Sequence, residues 1–208
     1  MYINSKKIVH EMKGLDSLYE VMRFLHILPV IFMSAPLYNL IVVSERVRFG
    51  KASVQVDRYL ENVLRGNSTR CYIYQLTALF TGVFLVALHG DPLSSIFTNQ
   101  VILLKWILLG VIMSMLSVVH FNIQPRIDDL FSQVYGDSIP EDIAAKLLPL
   151  RTLRKKMAGV CLFIVILIVI LAVQVYTPVD TYLSVLLIAL AALFSWRVYK
   201  KGAPRGWL

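Results

Sequence analysis

Five stretches without a charged residue, 24–44, 71–90, 106–125, 157–179 and 181–196, decide most of what this chain can fold into. An α-helix rising about 1.5 Å per residue crosses about 30 Å of hydrocarbon in roughly 20 residues, so the first four are long enough to span a bilayer. The fifth is shorter, but Thr177 and Pro178 extend it on one side and Arg197 can snorkel on the other. Lipid offers backbone amides no partner, which leaves the helix as the form these runs take. With 57% hydrophobic residues and a mean hydropathy of +0.67, little remains for a soluble domain. The expected fold is an all-α integral membrane protein, a five-transmembrane-helix bundle with a four-helix core. The fifth helix joins the fourth through the turn "YTPVD".

The chain divides into a polar N-terminal segment (1–17), one helix-bundle domain (18–199) and a tail (200–208). The leader "MYINSKKIVHEMKG" lacks the short apolar core and cleavage site of a signal peptide, so the first span is expected to act as its own insertion signal. Sixteen Lys and Arg lie in the first loop, the third loop and the tail, against Lys6, Lys7 and Lys13 on the other side. The positive-inside rule then puts the N-terminus outside and the C-terminus inside, in a membrane such as the bacterial inner membrane. The net charge of +8 reads as topology and headgroup contact. Nucleic-acid binding is excluded, because it needs a soluble basic face.

Two segments flanking the spans read as interfacial helices. In "ASVQVDRYLENVLRG", Val56, Leu60, Val63 and Leu64 share a face and Gly66 sits where a C-terminal cap belongs. In "SIPEDIAAKLLPLRTLRKK", Ser138 and Glu141 have capping-box spacing with Pro140 in the first turn. Cys71 and Cys161 both fall near inner span ends, which implies no extracellular disulfide. There is no C-x-x-C-H, Walker, Rossmann, nucleophile-elbow or H-E-x-x-H motif, and no acidic residue inside a span to serve a proton pathway.

Histidine is the titratable group left in the bilayer. Counted from inner edges at Ser44 and Cys71, His26 and His89 each lie eighteen residues out, about 27 Å at helical rise. Two imidazoles at one level on neighbouring helices are the arrangement that ligates haem iron from both sides. Arg23 lies one turn further out and Lys105 twenty residues from the inner edge of helix 3, where either can pair with haem propionates. Phe24, Phe32, Phe80, Phe84 and Trp106 are candidate apolar walls. Against this, His89 precedes "GDP" and also suits a helix C-terminal cap, and His26 also suits a structural hydrogen bond. His120 lies near the inner edge, with Met157 and Cys161 the soft side chains at its depth. Pro29 and Pro36 each free a carbonyl and predict a kink below His26, for a cofactor or for packing alone.

The runs "FLHILPVIFMSAPLYNL", "LLKWILLGVIMSMLSVVH" and "LRTLRKKMAGVCLFIVILIVILAVQVY" resemble a broad group of four-helix membrane proteins. That group includes the HemJ-type protoporphyrinogen oxidases and the CopD-like membrane domains, and the likeness covers roughly residues 18 to 176. In the HemJ-type pattern a first-helix His followed by Ile and a third-helix Lys are characteristic; here they fall on His26 and Lys105, and the resemblance implies haem b. The tryptophan and glycine that usually follow that His are Met33 and Pro36 here, and the fifth helix is extra. Three functions follow as expectations. The first is a b-type haem protein passing electrons between quinol and an acceptor at the outer face, with His26 and His89 as iron ligands. The second is a HemJ-like oxidase. The third is an accessory subunit of a larger membrane complex.

Overall fold

The computed structural model describes residues 2–44, 53–90, 92–176 and 180–200. Among these every regular element is helical: α1 (Tyr2–Ser44), α2 (Val54–Leu88), α3 (Ser95–Thr98), α4 (Gln100–Val118), a π-helical turn (Val119–Ile123), α5 (Gln124–Ser132), α6 (Glu141–Tyr176) and α7 (Thr181–Lys200). Four segments are long and apolar enough to cross a membrane: Gly14–Leu40, Val54–Leu88, Gln100–Ser132 and Glu141–Gln174. The apolar part of α7, Thr181–Arg197, is shorter. Most of the turn "YTPVD", the basic residues Arg46, Arg48 and Lys51, and the tail from 201 onward lie outside the described residues.

Local chemistry explains the element ends. Ser53 caps α2 by accepting from the Val56 amide at 3.4 Å, and Asn99 caps α4 by accepting from the amides of Val101 and Ile102 at 3.0 and 3.3 Å. Gly90 closes α2 at φ +84° and Gly136 turns the chain between α5 and α6 at φ +105°, backbone that a side chain strains. The π-helical turn lies just before Pro125, whose missing N–H breaks the regular hydrogen-bond ladder at that point. Pro29, Pro36 and Pro149 all lie within helices that continue through them.

Three sequence expectations are corrected here. The segment ending at Gly66 is no separate surface helix, because α2 runs unbroken through it, and α6 likewise takes in the whole "EDIAAKLLPLRTLRKK" segment. The start of α6 also differs: the Pro140 carbonyl accepts from the Ala144 amide at 2.9 Å, so the cap falls at Pro140 rather than at Ser138. The physical reason is long-range pairing. Arg154 of α6 grips Glu61 of α2 through two bonds of 2.8 and 3.0 Å and donates to Gln124 of α5 at 2.7 Å. Arg151 reaches Asp57 at 2.6 Å and Glu61 at 3.1 Å. Asp57, Glu61 and Arg154 are all buried, so residues that look like a solvated face are the interior of one end of the bundle. Isolated, each of these charges would be expensive to bury; paired in bidentate geometry they fix how α2, α5 and α6 meet. We refer to this as the basic end.

α1 packs most extensively on α2 and also on α6, which in turn meets α4 and α7. One buried cluster at the basic end joins Ile123, Ile127, Phe131, Ile143 and Leu147. A second, further along the bundle, joins Met33, Ile112, Cys161, Ile164 and Val165. Large apolar side chains such as Phe24, Phe80, Phe84, Leu186 and Phe194 are exposed on the outside of the bundle.

Candidate functional site

His26 sits on α1 against the face of α2 that carries Thr81 and Gly82. Its Nδ1 is 3.0 Å from Thr81 Oγ1, and that hydroxyl is 2.6 Å from the Thr77 carbonyl oxygen. A hydroxyl has one proton to give, and the shorter contact takes it, so Thr81 donates to Thr77 and accepts from His26 Nδ1–H. The Ala78 carbonyl, 3.3 Å from the same hydroxyl, is a further acceptor beside the ring. Nε2 is therefore left with a free lone pair. A Cβ built on Gly82 would stand 3.0 Å from His26 Cε1 and 3.9 Å from Nε2, so the imidazole occupies a notch that exists because residue 82 has no side chain.

Lys105 of α4 belongs to the same level. Met33 of α1 and Ile112 of α4 lie in one buried cluster, and His26 and Lys105 each stand seven residues, two helical turns, away from them in the same direction. The Lys105 ammonium is close enough to act electrostatically on the His26 ring. Arg23, one turn from His26, is partly exposed and pairs with Glu20 at 3.5 Å.

His89 is elsewhere. It is exposed at the end of α2, where its amide donates to the Leu85 carbonyl at 3.0 Å, and its ring lies 6.0 Å from that of Tyr19. Because His26 faces Gly82 and His89 faces Tyr19, the two imidazoles are two turns apart along the bundle, about 10 Å. The expectation of a level pair fails because Cys71 is no edge: α2 continues seventeen residues below it, to Val54. Phe24, Phe32, Phe80 and Phe84 are corrected as well, since their side chains are exposed on the outer surface and do not line the interior around His26. Trp106 is partly buried.

His120, in the π-helical turn, repeats the His26 arrangement at the basic end. Its Nδ1 is 2.9 Å from Ser68 Oγ, which donates to the Arg65 carbonyl at 3.0 Å, and its ring packs edge-on against Tyr72 and Phe121. Sequence reasoning did not anticipate that α2 hydroxyls would hold both imidazoles. Nor did it anticipate the charge network, although Asp57 and Glu61 at i,i+4 and Arg151 and Arg154 at i,i+3 present matching stripes on two helices. Among the described residues no three His, Cys, Asp or Glu side chains converge as a metal site.

No family model, no curated protein and no solved structure matches this chain.

Proposed function

We propose that the chain is a membrane-integral b-type haem protein that passes electrons between quinol in the membrane and an acceptor at the face opposite the basic end. His26 would hold the haem iron in this reading. The observation that supports it is the 3.0 Å contact of His26 Nδ1 with a Thr81 hydroxyl already engaged by the Thr77 carbonyl: with the Nδ1 proton assigned to that contact the ring is oriented and Nε2 is the donor atom, the arrangement ligating histidines use. The donor set fits one axial imidazole, with Lys105 and Arg23 as cationic partners for propionates. It does not fit a second imidazole from His89, whose ring lies against Tyr19, two turns away. Haem b, when bound, supplies a one-electron iron couple. The chain's own part is to hold the imidazole, to set positive charge beside it and to keep the site within an apolar bundle.

The basic end faces the cytoplasm in this proposal, from the distribution of Lys and Arg, and α7 makes a fifth crossing. A second reading has support from the Gly82 notch and the outward phenylalanines: His26 is a packing hydrogen-bonder in an accessory subunit of a larger complex. Haem content of purified wild type, His26→Ala and His89→Ala separates the two. The proposal expects haem in wild type and in His89→Ala and its loss in His26→Ala. Haem retained in His26→Ala overturns the ligand assignment, and a colourless wild type leaves the packing reading.

A further inference from the structure

Both cysteines of the chain line one cavity of about 70 Å³ that lies among α1, α2, α4, α5 and α6 toward the basic end. Met115 and Met157 line it too, so four sulfur side chains from three helices converge on one space. Cys161 Sγ stands 3.9 Å from Met115 Sδ. Metal–sulfur bonds of about 2.3 Å in trigonal or tetrahedral geometry set ligand sulfurs about 3.8–4.0 Å apart, so this pair is already at the spacing of two ligands. Cys71, on the facing helix, lines the same cavity.

A second observation is independent of the sulfurs. Asn67 and Arg154 line the same cavity, both are buried, and Asn67 Nδ2 and Arg154 Nε have no hydrogen-bond partner among the described residues. Buried N–H donors left without acceptors are costly, and thiolate sulfurs are acceptors. We propose that the cavity is a binding site for a soft monovalent cation, Cu(I), held by Cys71, Cys161 and Met115, with Met157 at its wall and Asn67 and Arg154 donating to the thiolates.

The ligand set selects the ion. Thiolate and thioether sulfur favour Cu(I), whereas zinc sites are built from Cys, His and carboxylates, and no three of those groups meet among the described residues. The mostly aliphatic wall, with Leu37, Leu64 and Ile112, suits an ion stripped of water. Binding replaces two S–H bonds by two metal–sulfur bonds and sends two protons to the aqueous basic end; no electron moves. The two-thiolate complex carries one negative charge, toward which Arg154, paired with Glu61 through its terminal nitrogens, has its Nε–H donor to offer. The site shares no residue with His26 and Lys105, so it stands or falls apart from the haem reading.

The test is an anaerobic titration of the purified full chain in detergent with Cu(I) against a chromogenic competing chelator, with proton release followed by an indicator dye. One Cu(I) per chain and about two protons released per ion are expected. Cys71→Ala and Cys161→Ala should each weaken binding beyond the roughly 100-fold that outer partners of a metal site contribute, and Met115→Leu by about tenfold or more. Met115→Leu conserves volume and so keeps the test decisive if a cysteine variant folds poorly. A wild type that leaves the copper with the chelator, release of fewer than two protons, or unchanged affinity in Met115→Leu overturns the proposal.

Discussion

Replacing Glu61 by alanine should destabilise the protein far more than replacing any exposed charge. The Glu61 carboxylate accepts bonds of 2.8 and 3.0 Å from Arg154 and forms an ion pair of 3.1 Å with Arg151, and the Glu61 and Arg154 side chains are each only 4% exposed. Removing it leaves Arg154 buried with its hydrogen bond to the neutral Gln124, a situation that typically costs about 3–5 kcal/mol. The Arg65–Asp128 pair, 2.8 Å long but 55% and 29% exposed, offers the contrast: Arg65→Ala should cost about 0–1 kcal/mol. For a chain of this size each kcal/mol moves the unfolding midpoint by about 2–4 °C, so Glu61→Ala should lower it by about 6–20 °C and Arg65→Ala by about 4 °C at most. A thiol-reactive fluorogenic dye reads this directly during heating, because Cys71 and Cys161 are both buried and react when the bundle opens. The double variant Glu61→Ala/Arg154→Ala should lose less than the sum of the two single changes, since it leaves no orphaned guanidinium at position 154. A Glu61→Ala midpoint no lower than that of Arg65→Ala would refute the claim that this network holds α2 to α6.

Further outcomes follow from the site. Gly82→Ala should disturb His26, because the added methyl lies 3.0 Å from its ring; a loss of about 1–3 kcal/mol by overpacking should outweigh the gain of about 1 kcal/mol in helix propensity. Thr81→Val, which removes the hydroxyl between His26 and Thr77, should cost about 1–3 kcal/mol and weaken haem retention without abolishing it, measured by haem-to-protein ratio. Lys105→Met removes a positive neighbour, so the oxidised iron becomes relatively favoured and the midpoint potential should fall by some tens of millivolts at an effective dielectric near 20; lost porphyrinogen oxidation in the same variant would instead mark a HemJ-like oxidase, and an unchanged potential would remove Lys105 from the site. A cysteine placed at Ser5 should react with an impermeant reagent in intact cells, and labelling confined to permeabilised cells would reverse the proposed orientation.

What the sequence makes legible is set by the range of the forces involved. The apolar runs announce the spans because hydrophobic length is a local property, and the level of His26 and Lys105 is legible because both can be counted along continuous apolar helices. The network at the basic end is not, because the burial of Asp57 and Glu61 depends on partners 93 and 94 residues away, and without them the same residues belong on a solvated helix. The false edge at Cys71 has the same origin: charges end an apolar run but do not end a helix whose charges are paired. The Thr81 hydroxyl and the Gly82 notch escape notice for a different reason. Both depend on the rotation of α2 against α1, which no periodicity in either helix specifies alone.

The most direct test of the central claim is the absorption spectrum and haem content of the full chain purified from haem-replete membranes, with His26→Ala prepared in parallel. Wild type should show a Soret band and one haem b per chain, and both should be lost when the imidazole beside Thr81 and Gly82 is removed. A colourless wild type, or a His26→Ala protein that still holds one haem per chain, would contradict it.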